Sequence, residues 1–190
     1  MLGLLGQKSS GKTHLLNAGA YFARQQQIEY QIYDGRQLMG CDAAELEGFD
    51  RCELLAIDNL DALAGNIEWE KCFYQIINQC RAGQLRFLYS LSIAPQNLNC
   101  ALEDFRSRLQ WGLLLTLPET DDERLRLVLS QRATMLGIDY SKEVMNYLLS
   151  HYPRDLSVQM SILQQLDTVS LIRQRKVTVP LVKQALQVMP

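Results

Sequence analysis

The stretch Gly6-Gln7-Lys8-Ser9-Ser10-Gly11-Lys12-Thr13 decides the fold. It fits the pattern G-x-x-x-x-G-K-[ST] at every position, between a short apolar run and a helical pattern, which is the context that a phosphate-binding loop requires. Its glycines let the backbone approach phosphates, and successive N–H groups at a helix N-terminus hold negative charge. The alternative is a chance turn rich in glycine and serine, which the flanking patterns disfavour. The stretch therefore predicts a site for ADP or ATP, with Lys12 on the β- and γ-phosphates and Thr13 on Mg²⁺.

A second motif indicates the other side of that site. Leu54-Leu55-Ala56-Ile57 is an apolar run stopped by Asp58, which is typical of a strand buried on both faces. A carboxylate in this place is expected to organise Mg²⁺; the alternative is an aspartate that caps a helix. Asn59 follows, where many hydrolysing enzymes carry a second acid, and an amide cannot take a proton from water. Asp61 could substitute, but we expect it to face solvent, so hydrolysis by this chain alone should be slow.

Strand-like and helix-like patterns alternate through the first part of the chain, which predicts an α/β fold with a five-stranded parallel sheet covered on both faces. The helix after the phosphate loop should span residues 13–27. Its predicted buried face carries Leu15, Ala18, Gly19 and Phe22. A stripe from Trp69 to Cys80 follows i, i+3, i+4, i+7 spacing and is interpreted as core packing, not a ligand site. The predicted strands are residues 2–5, 28–33, 54–57, 85–91 and 113–117.

The pattern changes after Pro118, because only helical periodicity follows. We therefore predict an α/β nucleotide-binding domain at residues 1–118 and a helical domain at residues 119–190. Ser141 is expected to be the N-cap of the second helix in the latter. The predicted helices cover residues 121–136, 141–150 and 154–173, followed by a last one that begins near Thr178.

Three segments carry a resemblance to a known family. They are Gly11-Lys12-Thr13-His14-Leu15-Leu16-Asn17-Ala18, then Ile57-Asp58-Asn59-Leu60 with Leu63-Ala64-Gly65, and Ser107-Arg108-Leu109-Gln110-Trp111-Gly112-Leu113. Over nearly its whole length the chain resembles the AAA+ domain of the DnaA replication-initiator family. Within that family it is most similar to the Hda group of regulatory inactivators, because of the Asp58-Asn59 pair and of Gln164-Gln165-Leu166-Asp167.

The resemblance implies an AAA+ sheet followed by a helical lid, and it implies roles for particular residues. Arg108 matches the arginine finger that such proteins offer to nucleotide on a neighbouring subunit, where a planar, always charged guanidinium bridges phosphate oxygens. From the pattern alone, Arg108 could equally be a surface arginine, and Arg106 is a weaker candidate for the same role. Arg154 matches the sensor arginine that reaches from the lid to the nucleotide. The polar sensor after the fourth strand falls at Ser92 or Ser90.

The implied function is regulation of replication initiation, with Arg108 and Asp58 as the catalytic residues. Arg108 would be presented to ATP held by DnaA and promote hydrolysis there, with the sliding clamp as a second partner and homo-oligomers as a further option. An autonomous AAA+ ATPase, such as a helicase loader or a DnaA-like initiator fragment, is the alternative, and Asn59 counts against it. A small-molecule P-loop kinase ranks last, because the Ser107 to Leu113 segment has no place there.

Composition limits the other function classes. The 190 residues are 47% hydrophobic and 21% charged, with a net charge of −2, so we expect no strong direct binding to DNA. No apolar run reaches the ~18 residues that a membrane span needs, and we expect a cytoplasmic protein without a membrane partner. Five cysteines without a C-x-x-C pair indicate reduced thiols. Because nucleotide-binding sheets usually have chain before the first strand, we also expect a segment before Met1.

Overall fold

The first part of the chain folds around a sheet of five parallel strands in the order β2-β3-β4-β1-β5. The computed structural model describes residues 1–43, 52–119, 121–138 and 141–186. The predicted α/β class with a five-stranded parallel sheet is confirmed. The strands are β1 (Leu2–Leu5), β2 (Tyr30–Asp34), β3 (Leu54–Asp58), β4 (Arg86–Leu91) and β5 (Leu113–Thr116).

Helices alternate with these strands, and the chain divides into two compact units, Met1–Glu119 and Thr120–Pro190. Since all strands run the same way, their carboxyl ends meet at one edge of the sheet, where Asp34 pairs in register with Asp58. The helices of the first unit are α1 (Lys12–Gln25), α2 (Gly35–Leu38), α3 (Ile67–Arg81) and α4 (Glu103–Leu109), with short 3₁₀ helices at Leu60–Leu63 and Pro95–Asn97.

The stripe on α3 forms the centre of the larger core, as predicted. Four of its side chains are buried, namely Trp69, Phe73, Ile76 and Ile77. The Phe73 ring stacks on Phe87 of β4 at 6.1 Å between centroids and on Phe105 of α4 at 6.4 Å. These contacts attach α3 to the sheet on one side and to α4 on another. All five cysteines are free thiols, and burial raises the pKa of Cys80 to about 11.

The predicted buried face of α1 is wrong. Leu16, Ala20 and Ala23 are buried, whereas Leu15 and Phe22 are 43% and 61% exposed. The reason lies in Lys12, the first residue of the helix, which is itself buried. Residues four, eight and eleven positions after Lys12 share its side of the helix, so the lysine sets which face meets the sheet.

The carboxyl end of α1 explains why the second strand starts later than predicted. The backbone N–H of Ile28 donates to the carbonyl of Ala23 at 2.9 Å, which closes the last turn of the helix. Gln27, just before it, has a positive φ of 58°. Ile28 therefore belongs to the end of the helix, and the strand begins at Tyr30 instead of Ile28.

A buried carboxylate joins α3 to the segment that leads into α4. Glu70 is 1% exposed, and its two carboxylate oxygens accept backbone N–H groups from three residues. The donors are Gly65 at 2.7 Å, Ala101 at 3.0 Å and Leu102 at 2.6 Å. Because Leu102 immediately precedes α4, this carboxylate fixes where α4 starts.

We expect Glu70→Ala to lower the free energy of unfolding by about 3 kcal/mol, because it leaves three backbone donors without their acceptor. Urea denaturation followed by circular dichroism measures the change. Glu68→Ala is the matched control on the same helix, since that side chain is 64% exposed and its partner among the described residues is the exposed Lys71; its loss should stay within about 1 kcal/mol. Equal losses for the two variants would contradict the role assigned to Glu70.

The second unit is helical in all its described elements. Side-chain oxygens of Asp121, Ser141 and Asp155 cap three of the helices by accepting backbone N–H groups, which confirms Ser141 as an N-cap. Arg154 precedes the third cap, so it lies before its helix and not within it. The helices are α5 (Asp122–Met135), α6 (Lys142–His151), α7 (Leu156–Arg173) and α8 (Val179–Leu186).

None of the helices in the described part of the chain has the length and hydropathy required to cross a bilayer. Across the same ranges, no group of three or more His, Cys, Asp or Glu side chains is placed to hold a metal ion.

Candidate functional site

The predicted phosphate-binding loop joins the carboxyl end of β1 to the first turn of α1. Gly11, at the N-cap of α1, has φ 94° in the left-handed region, and a Cβ built on it would meet nothing within 4 Å. The space beside its backbone is therefore open, at the end of a helix whose N–H groups attract anions. This is the geometry that a bound phosphate needs.

Lys12 points back along this loop. Its Nζ donates to the carbonyl oxygens of Gly6 and Gln7, both at 2.7 Å. Burial lowers the pKa of the Lys12 ammonium, and the charges of Asp58 and Asp61 oppose that shift. A buried ammonium next to open space is suited to an anion, because phosphate oxygens would satisfy a charge that carbonyl groups satisfy only in part.

Asp58, at the end of β3, lies against the first turn of α1. Its Oδ2 accepts the Thr13 hydroxyl at 2.5 Å, and its Oδ1 accepts the Ser90 hydroxyl and the Asn59 N–H. The structure thus brings the two predicted Mg²⁺ residues, Thr13 and Asp58, into direct contact. Hydroxyl and carboxylate oxygens are the hard donors that Mg²⁺ prefers, so this pair fits that ion.

Asn59 is oriented by a residue that the sequence analysis did not identify. Its Nδ2 donates to Asp34 Oδ1 at 3.0 Å, and its N–H also donates to Ser90 Oγ at 2.8 Å. The amide is thus held against a carboxylate of the neighbouring strand. Asp34 could have been identified from the sequence, because it is an acid at the carboxyl end of β2, the strand next to the one that ends in Asp58.

Two further expectations concern this edge of the sheet. Asp61 was expected to face solvent, but it is half-buried, and its Oδ1 is buried without a hydrogen-bond partner among the described residues. Asp61 lies in the short 3₁₀ helix that follows the left-handed Asn59 (φ 52°), and Leu60 and Leu63 bury this helix in the core. Of the two candidate sensor serines, Ser90 lies within β4 and contacts Asp58, whereas Ser92 follows the strand.

Arg108 lies in the last turn of α4, held by side chains of α3. Its Nη1 donates to Asn78 Oδ1, and its Nη2 donates to the Tyr74 hydroxyl at 2.7 Å. The guanidinium carbon is 3.8 Å from the centroid of the Tyr74 ring and 4.8 Å from that of Trp111. Arg106, the weaker candidate, instead pairs with Glu103 on its own helix.

Arg108 and the phosphate-binding loop lie at opposite edges of the sheet. α4 leads into the amino end of β5, where Leu113 pairs with Leu2, and the loop follows the carboxyl end of β1 after Leu5. Four strand residues rise by about 3.3 Å each, which separates the two edges by roughly 10 Å or more. The arginine is therefore far from the phosphates that its own loop would hold.

The third predicted arginine, Arg154, belongs to the second unit. Its Nη1 donates to Asp122 Oδ2 at 2.8 Å, and its Nε donates to the Leu149 carbonyl at 3.3 Å. Its side chain is 62% exposed. Within this unit, its one charged partner among the described residues is thus the carboxylate at the start of α5.

Comparison with solved structures identifies the fold. Domain III of the Thermotoga maritima replication initiation protein DnaA superposes with a TM-score of 0.82 at 19% identity, over 98% of this chain and 82% of that one. AMPPCP-bound DnaA from Aquifex aeolicus gives 0.73 at 20% identity, over 91% and 58%. The Thermotoga maritima RuvB branch migration motor gives 0.71 at 16% identity, over 98% and 61%. The fold is that of AAA+ proteins.

Sequence comparison decides the family. The model of the Hda lid domain matches residues 121–186. A Haemophilus influenzae protein described as uncharacterized is 35% identical over 184 residues, which cover 95% of this chain and 79% of that protein. The chain belongs to the DnaA/Hda-like AAA+ family. The predicted resemblance is thereby confirmed, and the match extends into the helical unit.

Proposed function

We propose that this DnaA/Hda-like protein binds ADP or ATP with Mg²⁺ through Gly6–Thr13. The open space at Gly11, the buried ammonium of Lys12 and the contact between Thr13 and Asp58 support the proposal. A structural neighbour, DnaA from Aquifex aeolicus, is bound to AMPPCP. Thr13 and Asp58 would hold Mg²⁺, which would supply positive charge beside the phosphates. Arg154 is the residue of the lid that we assign to sensing the nucleotide.

We further propose that turnover at this site is slow without a partner. Asn59 offers an amide where a carboxylate would orient and deprotonate water, and that amide already donates to Asp34. The nucleotide then acts chiefly as a ligand that sets the conformation of the protein, and only secondarily as a substrate. This favours a regulator over an autonomous motor.

The activity that we propose is in trans: Arg108 is offered to ATP bound by DnaA and promotes its hydrolysis. The position of Arg108 at the amino edge of the sheet, away from its own phosphate-binding loop, carries this conclusion. A guanidinium that approaches a neighbour's γ-phosphate stabilises the charge that develops in the transition state. By family resemblance, the sliding clamp is a second partner and the setting is the cytoplasm.

The test mixes full-length protein with ATP-loaded DnaA and a sliding clamp on DNA, and follows the fraction of DnaA that carries ADP. We expect the wild type to convert DnaA to its ADP form and Arg108→Ala to leave it ATP-bound. Omitting the clamp should slow the wild type if the clamp is a partner. Equal conversion by the two proteins would refute the role of Arg108.

A further inference from the structure

Two side chains of α3 hold the Arg108 guanidinium, although nothing in the family motif includes them. Tyr74 and Asn78 are four residues apart, so they lie on one face of α3, one turn from each other. The carboxylate of Glu70, one turn before Tyr74, fixes the start of α4 from the same side. One face of α3 thus determines both where α4 begins and where its arginine lies.

The contacts constrain different degrees of freedom of the guanidinium. The Tyr74 ring, at 3.8 Å, and the Trp111 ring, at 4.8 Å, restrict the plane of the group. The hydrogen bonds to Asn78 Oδ1 and the Tyr74 hydroxyl restrict rotation within that plane. A guanidinium carries five N–H donors, and within the part of the chain that the structure describes these two bonds use two of them, so three remain for a ligand. The group is oriented and still able to bind.

The chemistry of the two acceptors also leaves the guanidinium able to bind an anion. Asn78 and Tyr74 are neutral, so they hold Arg108 without cancelling its charge. A carboxylate would hold the arginine more tightly, because it adds the attraction between opposite charges to the hydrogen bond. It would then compete with phosphate for the same donors. The charge of Arg106, by contrast, is paired with Glu103.

We propose that Asn78 and Tyr74 are positioning residues that orient the Arg108 guanidinium, which pairs with no carboxylate among the described residues, for an anionic group on a second protein. The proposal rests on the trans activity proposed above for the identity of that anion, a nucleotide phosphate. Orientation before encounter reduces the side-chain entropy that is lost when the arginine engages its ligand. Loss of either acceptor therefore slows the step that Arg108 assists and leaves the chain's own nucleotide site intact.

The kinetic test measures ATP hydrolysis on DnaA at saturating concentrations of the full-length protein. We expect Asn78→Ala and Tyr74→Phe each to slow the stimulated rate by about tenfold, because each removes a hydrogen bond to a charged group. Gln75→Ala, an exposed change on the same helix, should match the wild type. In an Arg108→Ala background, Asn78→Ala should have no further effect, since the two residues act through one group. Additive losses, or wild-type rates for both variants, would overturn the proposal.

A second measurement does not depend on any partner. Restricted rotation of a guanidinium gives separate NMR signals for its two Nη groups, and Arg108→Lys identifies those of Arg108. We expect separate signals in the wild type and in Gln75→Ala, and merged signals in Asn78→Ala. Merged signals in the wild type would overturn the positioning role. If the wild type shows separate signals but Arg108→Ala stimulates hydrolysis as well as the wild type, the trans activity is refuted and the positioning role is not.

Asn78→Asp tests the importance of a neutral acceptor. The carboxylate should keep the Nη signals separate, or separate them further, yet slow stimulated hydrolysis by about tenfold, because it pairs with the charge that the phosphate needs. A rigid guanidinium with reduced activity supports the proposal. A wild-type rate in Asn78→Asp would overturn the claim that the charge must stay unpaired.

Discussion

Lys12→Ala is expected to weaken the binding of both ADP and ATP by about 100-fold or more. The substitution removes the only ammonium that is buried in the phosphate-binding loop of the described structure, where its Nζ lies 2.7 Å from the Gly6 and Gln7 carbonyls. A charge-assisted contact to phosphate in a partly desolvated site contributes about 3 kcal/mol, which corresponds to roughly that factor. Titration with a fluorescent ADP analogue measures the dissociation constant.

Arg24→Ala is the control for this effect. It also removes one cation, but from the exposed last turn of the same helix. We expect its affinity for the analogue to stay within twofold of the wild type, because it changes the net charge without touching the loop. If Lys12→Ala bound the analogue as well as Arg24→Ala does, Gly6–Thr13 would not be the nucleotide site.

The second large effect concerns Mg²⁺. Asp58→Asn keeps the shape of the side chain but removes the charge of the carboxylate that contacts Thr13 at 2.5 Å. We expect Mg²⁺ to strengthen nucleotide binding by the wild type by about tenfold or more, and not to strengthen binding by the variant. The same titration, performed with Mg²⁺ and with EDTA, gives both ratios.

The matched control for the Mg²⁺ experiment is Asp104→Asn, which neutralises an exposed acid in the first turn of α4. It should retain the full Mg²⁺ dependence of the wild type. Thermal unfolding should accompany the titration, since Asp58 also accepts the Ser90 hydroxyl and the Asn59 N–H. A folded Asp58→Asn protein with undiminished Mg²⁺ dependence would contradict the assignment of Asp58 as a ligand.

The features that could be predicted from the sequence are those that local patterns determine. Short strand-like patterns marked all five strands, and the predicted phosphate-binding loop is contiguous, so its place between β1 and α1 followed from its motif. The stripe on α3 was predicted for the same reason, because its spacing is a property of one helix. Boundaries were less certain, as the start of β2 at Tyr30 illustrates.

The features that could not be predicted depend on contacts between distant segments. The buried face of α1 follows from Lys12, a polar residue that hydrophobic periodicity ignores. Asn78 meets Arg108 across 30 residues of sequence, and Asp34 meets Asn59 across 25, through strand and helix packing. Periodic patterns within one element do not predict such pairs, because the first depends on how α3 packs against α4 and the second on which strands are neighbours in the sheet.

The most direct test of the central claim, that Arg108 acts on nucleotide held by another protein, is single-turnover hydrolysis of labelled ATP preloaded on DnaA. The protein's own affinity for ADP is measured in parallel. We predict that wild type accelerates release of phosphate at least ~100-fold more than Arg108→Ala does, in line with the contribution of arginine fingers. We also predict that the two proteins bind ADP with dissociation constants within twofold. Equal rates, or a loss of ADP binding in Arg108→Ala that matches its loss of rate, would contradict the account.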